Sequence, residues 1–314
     1  MRASRLACVF LLSALFSTAA AQDSKKEKDE KAGARPVAVR LSALVLDAQD
    51  RPANDLRAED FQVVEDGAAQ KVTTFEHLEG PHAFGLVVDS SGSMRQNISR
   101  VVDFGRLVLG GAGEGSAAFV VSFISSDNIR VIQDTTTNRR ALEAALEDIF
   151  VEGGQTAIND AVYLSAERLA RFRKLEKMPR RYSLVLVTDG EDRASFYKDE
   201  EVYAKLRETG VRVFVIGLVQ REYQWTTPEK AKQYMRRLAA ASGGSVYFWK
   251  KGDDLPPVAQ LVLADMNANY LLGYESTNAR RDGSARKVSV TVSAGPGGEA
   301  RKVFARDGYD APKK

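Results

Sequence analysis

The strongest constraint on this chain is an alternation of apolar runs with amphipathic segments across its middle. Residues 83–88, 117–124, 182–187 and 211–218 are nearly continuous apolar runs, and 245–249 is a shorter fifth. Runs of this length and composition fit strands buried on both faces of a mostly parallel sheet. Between them, Ile158, Val162, Ala166, Leu169 and Phe172 recur at helical spacing. Residues 139–149, 200–209, 228–241 and 254–268 also read as helices, and Gly210 stands where the second of these should stop. Strands alternating with helices predict a doubly wound α/β fold with helices on both faces of the sheet. Residues 128–133 follow the second run after a short Ser-Ser-Asp turn, and are expected as an antiparallel edge strand that brings the sheet to six.

The flanks read as β structure. In residues 37–46, Val37, Val39, Leu41, Ala43 and Val45 fall on one face of a strand. Asp50-Arg51-Pro52 marks a turn, and Asp55 opens a short helical turn over 56–61. Residues 61–64 and 71–75 are expected as two strands around the hairpin signal Glu65-Asp66-Gly67. After the α/β region, 270–274, 287–293 and 302–305 read as strands, separated by turns at Asp282-Gly283 and Gly295 to Gly298. The simplest packing lets both β ends meet in one small all-β unit. The expected organisation is an N-terminal β segment at 37–80, an α/β domain at 81–268, and a C-terminal β segment at 269–314 packing with the first.

Residues 1–21 have the layout of a secretory signal peptide: Arg2 and Arg5, an apolar stretch over 6–16, and Ala19-Ala20-Ala21 as a cleavage site. The apolar stretch is too short to span a bilayer, which needs about 20 residues, and no later stretch is long enough. Residues 22–36 mix both charge signs without a large apolar side chain, and are expected as a disordered linker. The predicted product is exported, either periplasmic or secreted. Without Arg2 and Arg5 the 45 Lys and Arg residues become 43, against 42 Asp and Glu. That balance argues against a nucleic-acid footprint. Cys8, the single cysteine of the chain, leaves with the signal peptide, so a disulfide framework is excluded. With only His77 and His82 besides, a Cys/His zinc site lacks ligands.

The chemistry therefore falls to oxygen atoms. Open α/β sheets bind ligands beyond the carboxyl ends of their strands. The first run ends in Asp89-Ser90-Ser91-Gly92-Ser93, the third in Thr188-Asp189-Gly190, and the loop before the helix near 157 is Gly153-Gly154-Gln155-Thr156. Two carboxylates and several hydroxyls are hard donors suited to Mg²⁺, Mn²⁺ or Ca²⁺. Gly92 and Gly190 are expected to let the backbone turn tightly beside the ion.

The pattern Asp-x-Ser-x-Ser, then Thr, then Asp resembles the metal-ion-dependent adhesion site of von Willebrand factor type A domains. The resemblance covers roughly 83–268 and matches at Asp89, Ser91, Ser93, Thr156 and Asp189. It implies that Ser91, Ser93 and Thr156 bind a metal directly and that Asp89 and Asp189 act largely through water. It further implies a protein partner that supplies an Asp or Glu carboxylate to the metal. The flanks are similar to bacterial exported proteins of the "VWFA-related" type, which carry an EDG turn, a YLLGY strand and a terminal GY segment. Here these are Glu65-Asp66-Gly67, residues 270–274 and Gly308-Tyr309.

The function this implies is an exported, metal-dependent protein-binding or adhesion module and not an enzyme. The alternative is a metal-assisted phosphatase or hydrolase of the cell envelope. Haloacid-dehalogenase-like phosphatases also place an Asp at the end of the first strand, but need a second carboxylate two residues later, where this chain has Ser91. They also need a Lys beside the phosphate, and no Lys lies in these loops.

Other residues carry less. Gly111-x-Gly113-x-Gly115 lies after a helix and before a strand, the reverse of a dinucleotide-binding loop. Asp160 is placed to brace its loop, while Asp192, His77 and His82 read as surface residues. Trp225 and Tyr223, with Arg221, lie in a loop over 220–228 that reads first as an ordinary connection, with an aromatic partner surface as the lesser alternative. Arg171, Arg173, Lys174 and Lys177 read as complements to a helix C-terminus.

Overall fold

The computed structural model describes residues 37–49, 51–190, 192–218, 227–250 and 254–312. The predicted signal peptide, the linker, and Arg221, Tyr223 and Trp225 lie outside the described residues.

The first strand, β1 (Val37–Leu46), buries the predicted face: Val37, Val39, Leu41, Ala43 and Val45 are all at most 5% exposed. A single 3-10 turn at Ala58–Asp60 replaces the expected helical turn. β2 (Phe61–Glu65) and β3 (Ala68–Gln70) then form the hairpin. Its two-residue loop puts Asp66 at φ 48° and Gly67 at φ 84°, the left-handed pair that matches strand twist.

The expected partner strand over 71–75 is not part of that hairpin. β4 (Val72–His77) leaves for another sheet. The change of sheet occurs beside Gln70, whose buried side chain donates to Thr277 Oγ1 at 2.9 Å and accepts from Thr277 N at 3.0 Å. A buried amide satisfied by a distant segment anchors the chain at the point where it changes sheet.

The central sheet comprises β5 (His82–Asp89), β6 (Ala117–Phe123), β7 (Ile129–Thr136), β8 (Arg181–Thr188), β9 (Arg212–Gly217) and β10 (Val246–Phe248). Their spatial order is β10-β9-β8-β5-β6-β7, parallel except for β7, the antiparallel edge that the turn predicted. Helices cover both faces: α1 (Ile98–Gly111), α2 (Arg139–Glu147), α3 (Ile158–Leu175), α4 (Asp199–Thr209), α5 (Pro228–Ser242) and α6 (Leu255–Met266). One apolar cluster packs α1, α2 and α6 against the sheet, and another packs α3, α4 and α5 on the opposite face. Each fully buried Val, Leu or Ile contributes roughly 1.5–3 kcal/mol, which makes this sheet the rigid platform of the molecule. α1 is the helix that the sequence marked only as something preceding the glycine run. Among the described residues, no helix is long and apolar enough to cross a membrane.

The flanks form two further antiparallel sheets. β11 (Tyr270–Ser276) joins β1, β4 and β13 (Lys302–Ala305), in the order β13-β1-β11-β4. β12 (Ala285–Val292) joins β2, β3 and β14 (Gly308–Asp310), in the order β14-β12-β2-β3. Side chains of both sheets share one apolar cluster that includes Leu41, Phe61, Val63, Tyr270 and Val288.

The three flank motifs converge on one carboxylate. Glu65, 2% exposed, accepts from Tyr274 Oη at 2.8 Å, Tyr309 Oη at 2.9 Å and Ser276 Oγ at 2.5 Å. The EDG, YLLGY and GY segments thus supply the anion and two of its donors, and a buried charge is tolerable when so bonded.

The junction between the flanks and the α/β part is also polar. Asn269 Oδ1 accepts from Val45 N at 2.8 Å and its Nδ2 donates to Ala53 O at 2.7 Å. Tyr270 Oη accepts from Leu56 N and donates to Ala53 O. The chain leaving α6 is therefore tied to β1 and to the segment that follows β1.

Candidate functional site

Strand register places the site. In the β5–β8 ladder Val88 stands opposite Val187, so the next residues, Asp89 and Thr188, leave the sheet side by side at its carboxyl edge. Asp89 is fully buried and Asp189 is 2% exposed. The Asp89 carboxylate is held at both oxygens: Oδ1 accepts from Ser91 N at 2.9 Å, and Oδ2 from Thr188 Oγ1 at 2.6 Å.

The loop after β5 is fixed from both sides. Ser90 N donates to Phe123 O at 2.9 Å, and Ser90 O accepts from Glu152 N at 3.1 Å. A 3-10 turn over Gly92–Gln96 follows, anchored by Met94, which is fully buried. This turn presents the Ser93 hydroxyl, which donates to Asp189 Oδ1 at 3.0 Å and lies 3.1 Å from Ser91 Oγ. Asp89, Ser91, Ser93 and Asp189 therefore form one bonded group.

Thr156 reaches the same edge by backbone bonds. Ala157 N donates to Ile124 O at 2.8 Å, and Thr156 O accepts from Arg193 N and Ala194 N in the segment beyond Asp189. Thr156 is 8% exposed, and among the described residues its hydroxyl makes no hydrogen bond.

The glycine requirement lies elsewhere than predicted. Gly92 and Gly190 do not adopt positive φ. A Cβ at Gly190 would meet nothing within 4 Å, and one at Gly92 would meet only ordinary contacts, the nearer 3.8 Å away. Gly154 is the constrained position, with φ +153° and a Cβ that would fall 2.3 Å from Ile124 Cγ2. The close approach of this loop to Ile124, just after β6, is what demands glycine.

Helix α3 starts beside the site and is held by two acids. Asp160 accepts from Phe196 N at 2.9 Å and Tyr197 N at 2.8 Å, so it ties α3 to the segment after β8 and does not brace its own loop. Asp192 is not a free surface acid. Its Oδ1 accepts from Asn159 N at 3.0 Å and from Ser195 Oγ at 2.5 Å, and burial raises its pKa. Thr188 and Asp192 are the residues whose roles sequence reasoning missed. The signal available was their place inside and just after the Thr-Asp-Gly segment.

The histidines are remote from this edge. His82, expected on the surface, is 1% exposed, with Nε2 2.8 Å from Asn267 Oδ1. Burial, then the positive charge of Arg181, drives its pKa down to about 3. His77 is half-buried, 3.1 Å from Glu79 through Nδ1, with its ring against Tyr270.

Electrostatics show what the site lacks. Burial and the negative charge of Asp189 push the Asp89 carboxyl up to about 6. No Lys or Arg forms an ion pair with Asp89 among the described residues. Nor do three or more His, Cys, Asp or Glu side chains stand together there as a metal-binding group. Two crowded carboxylates, two bonded serines and a free threonine hydroxyl are a donor set for a small hard cation.

The von Willebrand factor type A domain family matches residues 85–260. No curated protein matches the chain. Among solved structures, the von Willebrand factor type A protein from Catenulispora acidiphila superposes with a TM-score of 0.50 at 11% identity, covering 89% of this chain and 75% of that one. An aerotolerance-related membrane protein from Bacteroides fragilis gives 0.46 at 15% identity, covering 59% of this chain and 98% of that one. Proximal thread matrix protein 1 from the mussel byssus, with a zinc-occupied MIDAS motif, gives 0.47 at 18% identity, covering 64% and 49%. The six-stranded sheet with helices on both faces agrees with the family match, which spans more than half of the sequence. The chain belongs to the von Willebrand factor type A domain family.

Proposed function

We propose that this protein is an exported, divalent-metal-dependent protein-binding module that captures an Asp or Glu side chain of a partner. The observation that carries this reading is the buried Asp89–Asp189 pair, with Ser93 donating to Asp189 and Ser91 beside Ser93. In this reading Ser91, Ser93 and Thr156 ligate the metal directly. Asp89 and Asp189 balance its charge largely through water. Mg²⁺ is the expected ion, with Mn²⁺ or Ca²⁺ as substitutes. A bound cation supplies an electrophilic contact for a carboxylate in a partly desolvated cleft, where such contacts gain strength.

The chain's own residues do the positioning. Thr188 and the Ser91 amide hold the Asp89 carboxylate in place. In this reading Ser91 and the 3-10 turn after it supply two hydroxyls and the Gly154 loop supplies the third, from Thr156. The same bonds weigh against the phosphatase alternative. Both Asp89 oxygens are already committed, and Ser91 stands where a general-acid carboxylate would be needed.

Calorimetry of the mature protein with Mg²⁺, Mn²⁺ and Ca²⁺, beside Asp89→Ala and Ser91→Ala, tests the site. The wild type is expected to bind at one site and both variants to lose it. Equal heats for all three proteins would remove the assignment. A metal-dependent pulldown from envelope extract tests partner capture. A phosphatase activity lost in Asp89→Asn would favour the enzyme instead.

A further inference from the structure

A second cleft opens at the opposite edge of the central sheet, between the α/β part and the flanking sheets. Its volume is about 510 Å³, within the range of small-molecule sites. Arg181 and Arg212 come from the first residues of β8 and β9, and Arg173 and Arg207 from the ends of α3 and α4. Arg40 on β1 and Glu76 on β4 face them from the flank. The length of β8, eight residues, separates this cleft from Asp89 by roughly 23 Å at ~3.3 Å per residue.

The charge in the cleft is one-sided. Six arginines line it against two glutamates, Glu76 and Glu79, in a chain whose basic and acidic residues number 45 and 42. Arg180 pairs with Glu176, and Glu79 pairs with His77. The remaining five arginines form no ion pair among the described residues. Arg212, 6% exposed, donates to neutral oxygens, Ser42 Oγ at 3.0 Å, Asp265 O at 3.3 Å and Met266 O at 3.5 Å, and burial lowers its pKa although the Asp265 and Glu76 carboxylates act against that. Arg181 donates to the carbonyls of Gly80, Asn267 and Ala268. Burial, and then the positive charge of Arg212, bring the Arg181 pKa down to about 10. Two partly desolvated guanidinium groups therefore sit close enough to repel. Arg40 and Arg207 are exposed, and among the described residues neither makes a side-chain hydrogen bond or ion pair. Arg173 spends one nitrogen on Thr209 O at 2.7 Å and lies over the Tyr182 ring. It thus serves the end of a neighbouring helix and not its own.

We infer that this cleft binds a small polyanion of the oligophosphate class, with Arg40 and Arg207 closing on it from the rim and Arg181 and Arg212 supplying fixed positive charge below. Guanidinium groups match phosphate oxygens in paired hydrogen bonds. Several cations spread along one cleft suit linked anionic groups better than a single one. The inference is independent of the metal-site reading.

The test is calorimetry with inorganic pyrophosphate in low-salt buffer stripped of divalent ions by resin. The wild type is expected to bind pyrophosphate, and to bind orthophosphate roughly tenfold or more weakly, since fewer charged hydrogen bonds form. Arg40→Ala/Arg207→Ala, at exposed positions whose side chains make no hydrogen bond or ion pair among the described residues, is expected to weaken pyrophosphate binding roughly tenfold or more. Asp89→Asn, and the control Arg139→Ala/Arg140→Ala on α2, should bind as the wild type does. The inference is overturned if the wild type gives no heat at millimolar pyrophosphate. Equal affinity for the two phosphates, equal affinity in the rim variant, or an equal loss in either control would also overturn it.

Discussion

Thr188 donates its hydroxyl to Asp89 Oδ2 at 2.6 Å, from the last residue of β8 to the last residue of β5. The bond is interior, between a fully buried Thr and a fully buried Asp. Replacing Thr188 with Val keeps the shape and removes the donor. An anionic oxygen left without its partner in a dry site costs about 1–3 kcal/mol. Thr188→Val is therefore expected to lower the unfolding free energy by that amount, read from a lower urea midpoint at unchanged slope, and to weaken metal binding in calorimetry because Asp89 is then held at one oxygen alone, by Ser91 N.

The Asp89–Asp189 repulsion makes a separate prediction. Without a cation, the folded protein confines two carboxylates, and Asp89 is pushed up to about 6. Asp89→Asn removes that conflict and keeps a group able to bond with Thr188 and Ser91. In metal-free buffer at neutral pH, Asp89→Asn is expected to melt at or above the wild-type temperature. With saturating Mg²⁺ the order should reverse. A ligand at a hundred times its Kd stabilises by about 2.7 kcal/mol, and only the wild type gains it. Paired melts with and without metal check this.

Glu65 is expected to be the most sensitive position of the flanking sheets. Three hydroxyls, from Tyr274, Ser276 and Tyr309, converge on its buried carboxylate. Glu65→Ala leaves all three without their acceptor and opens a void, so a loss of about 3–5 kcal/mol is expected. Tyr309→Phe removes one donor from the same group, and should cost about 1–2 kcal/mol. Urea unfolding of both variants gives the comparison.

These relationships explain which parts of the molecule were legible in advance. Continuous apolar runs report strands buried on both faces, so β5, β6, β8 and β9 follow from composition over a few residues. The alternation from Val37 to Val45 reports β1 for a different reason, since one face of that strand is buried and the other only in part. Local pattern fails where a distant partner decides. Residues 72–77 alternate well enough to continue the hairpin, but Gln70 is held by Thr277 at the point where β4 leaves for another sheet. His82 follows a proline and reads as a surface residue until Asn267, far along the chain, covers its ring. At the site, Asp89, Ser91, Ser93, Thr156 and Asp189 were visible as residue types in strand-end loops. Asp192 was visible only as a charge, because its bonds to Asn159 and Ser195 depend on how the loop folds back.

Glycine substitution separates a loop that needs its glycine from one that does not. Gly154→Ala places a Cβ 2.3 Å from Ile124 Cγ2 at φ +153°. The strain is expected to cost about 1–3 kcal/mol, and to weaken metal binding by displacing Thr156 two residues on. Gly190→Ala meets nothing within 4 Å and requires no unusual φ. Its stability is expected to stay within about 0.5 kcal/mol of the wild type, although Gly190 is adjacent to Asp189 and Gly154 is not.

His82 supplies the pH dependence. Its folded pKa, about 3, lies well below the ordinary value of 6.5 because burial disfavours the charged ring. Between these values the unfolded chain binds a proton that the folded chain refuses, so stability falls as pH falls. The contribution is fully present above pH 6.5. It is lost below that at up to about 1.4 kcal/mol per pH unit, and the loss stops as pH approaches 3. Other groups titrate over the same range, so the informative quantity is the difference between wild type and His82→Gln. Glutamine can still donate to Asn267 Oδ1 and carries no titrating ring. Urea unfolding at a series of pH values should show the variant gaining on the wild type steadily below pH 6.5. Parallel curves would mean that the ring is not held neutral at the junction.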